Sequence, residues 1–529
     1  LKPFQLKAPC SRTLLPAPAG PAPMANSHRA GEPLRGDGGA GARPNGSMYV
    51  AICTAMAGAI MFGLDQGNFG NVQGFADFRQ HWCVGAGFGT EETCGDDPDR
   101  GARRNTHWQQ TFVLWGASLI TIGAALGGLV LGPIITNRLG RRPCISMGSS
   151  LACLSCVVVS FLSFHSVAVF MVGRFFTGFG IGVCCFALPL YNSEMATPGI
   201  RGAMGGLFQV NVVVGGFVAT VATLLWKDWR FGMLLPGIPG LFVAGAVWLA
   251  PESPRYVMEK QGYEAGVAVL RRVRRGDVAA EAGEIDARLA EEREAAEVTY
   301  AQICRDGNLR KRVLIACYLQ VAQQLTGVNA FLSYASTLFQ GAGFKDPLEV
   351  NVLWNAIMCL GVVTGLVMID SPRGGRRAQL LGATVFMGPA LVVASLTMGL
   401  GWSGLVTLAM VCVYGFFFQF AWGTIPWIYP SEIFAMAEKD KAVSLAVFWQ
   451  YAVNGIVVIV TPPMIDWTVA GTFGIFGGLN VLNALFVVAC IRETRCVPLE
   501  QVPGLFGAQR APTAPGGLQR RLLREPAAC

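Results

Sequence analysis

Asp65 stands in the run Phe62-Gly63-Leu64-Asp65-Gln66-Gly67, well inside the first long apolar stretch of the chain. An ionised carboxylate there is expensive in hydrocarbon and is kept for a reason. Every other acidic residue falls at the end of an apolar stretch or between two, and no lysine falls inside one. Arg174, near the start of the fourth stretch, is the one basic residue that the pattern places within the bundle. A buried acid and a buried base find each other. Protonating the acid breaks the pair, and that event can be coupled to a change of shape. The alternative is a permanent ion pair that only fixes packing. His28, His81, His107 and His165 all lie in loops or at span ends, so a proton relay has to run through the carboxylate.

A second constellation is uncharged. Gln209 sits midway along the fifth stretch, and Gln323 and Gln324 precede Leu325-Thr326-Gly327-Val328-Asn329 in the seventh. Asn355 lies in the eighth, Gln419 in the tenth, and Gln450 and Asn454 in the eleventh. Amides both donate and accept, which suits hydroxyl groups that do the same. Trp427, Tyr334 and Tyr451 add flat apolar faces suited to the C–H faces of a pyranose ring. A single amide of this kind is more often glue between helices. Clustered in the second half, with Trp427 beside the helix-breaking Pro426, they read as a pocket. A neutral polyol fits that lining; a strongly anionic solute does not. No nucleophile–base pair or metal cluster stands at usable spacing, so no enzyme activity, metal or cofactor is expected.

The elements that must position these residues are long apolar helices. The chain has 529 residues, 52% hydrophobic and only 14% charged, with 66 Gly. Twelve stretches reach the roughly 20 residues that a helix needs to cross a bilayer. They fall near 48–70, 109–135, 144–164, 167–190, 203–225, 231–250, 312–338, 349–370, 379–400, 404–430, 442–463 and 471–491. Charged motifs recur between them. Gly140-Arg141-Arg142 returns as Gly375-Arg376-Arg377, a shift of 375 − 140 = 235. Leu190-Tyr191-Asn192-Ser193-Glu194 returns as Ile428-Tyr429-Pro430-Ser431-Glu432, a shift of 432 − 194 = 238. Glu252-Ser253-Pro254-Arg255 is echoed by Glu493-Thr494-Arg495, a shift of 493 − 252 = 241. Three motifs in order with nearly constant offsets mean two copies of one unit.

The formal net charge of +8 invites a nucleic-acid reading, but the arginines are distributed otherwise. Arg138, Arg141, Arg142, Arg201, Arg255, Arg310, Arg373, Arg376, Arg377, Arg492 and Arg495 fall in alternate loops, which puts both termini in the cytosol. The charge is a topology signal, and nucleic acid is excluded as a partner. Residues 1–47, rich in Pro, Gly and Ala, read as a disordered cytosolic segment. Met24 is a sensible start, leaving 1–23 as upstream sequence or a targeting leader. Residues 48–250 and 312–491 are the six-helix halves, 251–311 a linker of short amphipathic cytosolic helices, and 492–529 a cytosolic tail. Most of the 16 Cys behave as small apolar residues, but Cys83 and Cys94 flank a Gly-rich outer loop where a disulfide is expected in an oxidising space.

At these motifs the chain resembles the sugar porter family of the major facilitator superfamily, from about residue 48 to 502. The resemblance is carried by Arg174 with Gly178, Gly180 and Gly182; Glu194 with Arg201; Pro251-Glu252-Ser253-Pro254-Arg255; Gln323-Gln324-Leu325-Thr326-Gly327; Trp422-Gly423; and Glu493-Thr494-Arg495. It implies an all-α membrane protein with twelve transmembrane helices in two pseudo-symmetric halves, working by alternating access. It implies sugar binding at Gln209, Gln323, Gln324, Asn329, Asn355, Trp427 and Asn454, with Gln450 and Tyr334 nearby. It implies an inner gate latched, in outward-facing states, by Arg141, Arg142, Glu194, Arg201, Glu252, Arg255, Arg376, Arg377, Glu432 and Glu493. Proton-coupled members have an acid where Asp65 stands, paired with the arginine matching Arg174, so symport of a proton with a neutral monosaccharide across the plasma membrane is expected. Asn137 replaces the acid usual before the first Gly-Arg-Arg, Asp370 is followed by two more residues than usual before Gly375, and Thr424 and Tyr451 depart from a common proline and tryptophan. The alternatives are a facilitative uniporter and, in another class, a transporter-like sugar receptor, against which the short tail argues.

Overall fold

A computed structural model describes residues 43–94, 107–197, 201–294, 298–369, 371, 374–402, 404–434, 436–495, 497 and 502–507. Eleven helices among these are long and apolar enough to cross a membrane. In chain order, spans 1 to 6 are Gly46–Val72, Trp108–Arg138, Arg141–Leu162, Val167–Met195, Gly206–Leu225 and Trp229–Leu249. Spans 8 to 12 are Pro347–Ile369, Arg376–Gly399, Gly404–Pro430, Lys441–Trp467 and Val469–Cys490. Span 7 completes the twelve in two pieces, Gly307–Leu325 and Val328–Gly341. Gly327 makes the break with φ 92°, a conformation open to glycine because it has no Cβ. In lipid every backbone group has to be satisfied within the segment, so long apolar runs have no stable form but helix.

What brings the helices together is small residues. A Cβ on Gly123 or Gly127 of span 2 would overlap the carbonyl oxygens of Phe175 and Phe179 in span 4. Gly361 and Gly365 of span 8 meet the carbonyl oxygens of Phe416 and Phe420 in span 10 in the same way. The shift is 361 − 123 = 238 and 365 − 127 = 238, so the duplication extends from the charged motifs into the helix packing. Within the first half span 1 packs along span 5, and span 4 against spans 2 and 3. In the second half span 7 packs along span 11, and span 9 against spans 10 and 12. The halves meet where span 5 touches span 8, span 2 touches span 11, and span 1 touches the second piece of span 7. The result is an all-α membrane protein of two pseudo-symmetric six-helix halves.

Between the halves lie short helices, Pro254–Gln261, Tyr263–Val273, Ala279–Glu294 and Tyr300–Arg305. Met258, Val267, Leu270, Val278, Ala282 and Leu289 give them a small core of their own. Arg274 anchors them: its buried guanidinium holds Glu281 at 2.8 Å and donates to the Met195 carbonyl at the end of span 4 at 3.0 Å. Of the segment read as disordered, residues up to 42 lie outside the described residues. Arg43 and Pro44 pair antiparallel with Arg275 and Arg274, and span 1 begins at Gly46.

On the opposite face, the loop after span 1 is a compact cap. Cys83 and Cys94 are disulfide-bonded, and Phe78, Trp82, Trp108, Phe112, Phe170 and Trp229 pack edge and face beneath them. A crosslink 11 residues long in sequence removes about 3 kcal/mol of chain entropy from the opened loop. Reduction, or Cys83→Ser, is therefore expected to speed amide hydrogen exchange in residues 76–94 by up to about a hundredfold, while exchange in spans 7 to 12 stays unchanged.

Candidate functional site

Span 1 carries Asp65 and span 4 carries Arg174 into the same interior, where each is nearly inaccessible, at 6% and 4% exposure. Arg174 Nη1 lies 3.2 Å from Asp65 Oδ1. Its Nε donates to the Gly116 carbonyl of span 2 at 3.0 Å, and its guanidinium carbon sits 4.6 Å over the Phe69 ring. A carbonyl, a ring face and one carboxylate thus share one guanidinium. The pair borders a narrow cleft between the halves, with a cavity volume of about 60 Å³. The first half contributes Phe62, Gln66 and Thr121 beside the pair; the second contributes Asn329, Ser333, Tyr451 and Asn454. A titratable ion pair therefore faces neutral amide and hydroxyl groups across a narrow cleft.

The neutral residues divide sharply. Asn329 and Asn454 line the cleft, and Gln324 stands behind Asn329, accepting a hydrogen bond from it. Among the described residues, Asn454 Oδ1 and Gln450 Oε1 have no hydrogen-bond partner, which leaves acceptors for donors from outside. The others are not brought to the cleft. Gln323 donates to the Trp422 carbonyl at 2.6 Å, because Pro426, four residues on, has no N–H to close that helical turn. Gln320 donates to the Pro426 carbonyl at 2.9 Å for the same reason, the missing donor now being Pro430. The Tyr334 hydroxyl donates at 2.9 Å to the carbonyl of Val458, which Pro462 leaves open. Asn355 spends its N–H groups on Asn351, Gln209 is half-buried away from the cleft, and Trp427 is 41% exposed. Gln323 and Tyr334 thus repair helices at the positions where Pro breaks them.

The charged motifs assemble at the end of the molecule where span 1 begins and span 12 ends. Arg141 holds Glu194 through two hydrogen bonds of 2.9 and 2.8 Å. Glu252 accepts from the backbone N–H groups of Arg141 and Arg142 at 3.2 and 3.1 Å, capping the N-terminus of span 3. Burial pushes the Glu252 carboxyl above its ordinary range, and those N–H donors and that of Ser253 draw it back. The second copy repeats every contact. Arg376 holds Glu432 at 2.7 Å, and Glu493 accepts from the N–H groups of Arg376 and Arg377, both at 3.0 Å. Gly140 and Gly375, at φ 107° and 119°, have no side chain because a Cβ would strike the capping carboxylate. These contacts run within each half. Arg255 is half-buried, and nothing is described of the Arg201 side chain; Asp370 lies outside the described residues.

Charge patterning alone did not flag Arg312. It is buried in the first turns of span 7, with Glu438 at 2.7 Å and the Ile433 carbonyl at 2.9 Å. At a span start it looks like one more topology charge. Asn68 and Asn71 of span 1 and Gln73 just past its end carried no such signal either; all three are buried.

Two six-helix halves, a midplane cleft between them and a capped arginine motif in each define a membrane carrier of the major facilitator type. The chain belongs to the sugar (and other) transporter family, whose sequence model matches residues 50–506. It is similar to H(+)/hexose cotransporter 2 of Parachlorella kessleri, 27% identical over 87% of this chain and 87% of that protein. It is similar also to solute carrier family 2, facilitated glucose transporter member 3 of Canis lupus familiaris, 27% identical over 75% of this chain and 82% of the relative. Among solved structures, the proton:xylose symporter XylE bound to 6-bromo-6-deoxy-D-glucose shares the fold, with TM-score 0.70 over 87% of this chain and 99% of the other at 23% identity.

Proposed function

We propose that the chain is a secondary active transporter that moves a neutral monosaccharide, a hexose first, together with a proton by alternating access. The observation that carries the reading is the placement of Asp65 and Arg174 at one wall of a cleft whose other wall is neutral amide. Protonation of Asp65 releases Arg174 and favours sugar binding; closure occludes the site, and opening at the other end releases both. Asn329 and Asn454 take the sugar hydroxyls, Tyr451 the ring face, with Gln324 and Gln450 in support. The basic loops favour cytosolic termini, and the plasma membrane is the expected site of action. Residues 251–311 act as a cytosolic linker and 492–529 as a tail.

A potential of about 100 mV gives roughly 2.3 kcal/mol per proton, enough for nearly fifty-fold accumulation before any pH gradient is added. Uptake of competing labelled sugars into proteoliposomes, with and without an imposed pH gradient, tests the proposal. Uphill uptake that collapses with the gradient supports symport; equilibration to equal concentrations, whatever the gradient, supports the second reading, a facilitative uniporter. That reading is favoured by the resemblance to the facilitated glucose transporter, in which case Asp65 serves packing alone.

A further inference from the structure

The end of the molecule opposite the charged motifs is closed by neutral hydrogen bonds. Asn71 ends span 1 fully buried, and Asn351 opens span 8 at 3% exposure. Asn351 Nδ2 donates to Asn71 Oδ1 at 2.6 Å, joining the two halves. The bond is one link of a chain that runs in a single direction. Asn355 Nδ2 donates to Asn351 Oδ1 at 2.9 Å, and Asn71 Nδ2 donates to Thr223 Oγ1 of span 5 at 3.1 Å. Thr223 Oγ1 donates in turn to the Ala219 carbonyl at 2.9 Å. The second N–H of Asn71 goes to the Gly67 carbonyl at 3.0 Å. A chain with donors and acceptors aligned in this way polarises along its length, and every side-chain atom it uses is satisfied. A second bridge stands close by: Gln73 Nε2 donates to the Ser333 carbonyl of span 7 at 2.7 Å. Between the bridges the backbones touch, since a Cβ on Gly70 would overlap the Leu332 carbonyl oxygen.

We propose that Asn71 and Asn351 form a neutral latch that holds this end shut, and that its rupture sets how often the carrier opens there. The inference rests on the alternating-access reading above. Six residues separate Asp65 from Asn71, about 9 Å of helix, so the latch lies beyond the cleft on the path to the disulfide cap. An amide pair suits a contact that has to break in every cycle. Interhelical hydrogen bonds in membranes contribute modestly, and a buried ion pair in the same place would be far harder to part. The latch is uncharged, so its strength is expected not to vary with pH, leaving proton dependence to the carboxylate.

The test uses purified protein in detergent and the rate at which a bulky maleimide labels introduced cysteines, native labelling being subtracted. Ser333→Cys reports the closed end and keeps the carbonyl that Gln73 uses. Leu366→Cys, which faces Gly206 of the other half nearer the charged motifs, reports the opposite end. Asn71→Ala and Asn351→Ala are each expected to raise labelling at position 333 about three- to twentyfold and to lower it at position 366, and the double substitution to add nothing to either single. Unchanged labelling at 333, a rise at both reporters, or full additivity overturns the latch. Asn351→Ser, too short to reach Asn71 yet still polar, repeats the measurement should the alanine variants fold poorly. The readout needs no sugar and no proton gradient. A response without transport therefore sinks the transport reading alone, and transport without a response sinks the latch alone.

Discussion

Asp65→Asn is expected to abolish uphill accumulation while sparing exchange. The asparagine keeps the shape of the carboxylate, and its Oδ1 can still accept from Arg174 Nη1, which stands 3.2 Å from the native oxygen. What it loses is the ability to take up and release a proton. At about 100 mV the accumulation ratio falls from nearly fifty to one, whereas counterflow of labelled against unlabelled sugar stays within severalfold of the parent. Asp65→Ala is a different experiment. It strands a buried guanidinium, costs about 3–5 kcal/mol, and is expected to reduce folded yield, so its loss of transport says nothing about coupling. Accumulation undiminished in Asp65→Asn would end the symport reading and leave a packing ion pair.

Gly63→Ala is expected to do nearly as much damage without touching any charge. A Cβ there overlaps the Val212 carbonyl oxygen and meets the Gly215 Cα at 3.0 Å, so span 1 cannot lie on span 5 without moving backbone against backbone. No rotamer relieves such a clash. The cost is about 3 kcal/mol or more, and the shift displaces Asp65 two residues away. Melting of the detergent-solubilised protein is expected to fall by several degrees, with sugar binding lost. Gly455→Ala in span 11 and Gly245→Ala in span 6 are controls, since nothing lies within 4 Å of a Cβ at either position. These are expected to leave melting unchanged or to raise it, by up to about 1 kcal/mol in stability. Equal behaviour of all three would show that the glycines are not what sets the distance between spans 1 and 5.

The helices were readable because hydrocarbon tolerates so few alternatives, and the duplication because charged tripeptides are rare enough in such a chain to be matched across 235 to 241 residues. Asp65 and Arg174 stood out for the same reason. The neutral residues did not sort themselves, because an amide in an apolar helix can meet a solute, a neighbouring side chain or a stranded carbonyl, and composition does not distinguish these fates. One signal was present and unused. A proline leaves the carbonyl four residues before it without its helical partner. Pro426, Pro430 and Pro462 therefore point to Trp422, Pro426 and Val458 as acceptors in need of donors, which Gln323, Gln320 and Tyr334 supply. Asn71 and Asn351 carry no such mark, since their meeting depends on how two distant spans cross.

The capping carboxylates Glu252 and Glu493 each hold the start of a helix in their own half, and the paired arginines do likewise. Among the described residues, these capping and paired contacts are thus each internal to one half. In the proposed alternating-access cycle the halves would tilt against each other with these ionic braces intact. Raising the salt concentration should accordingly leave the tilt equilibrium nearly where it was.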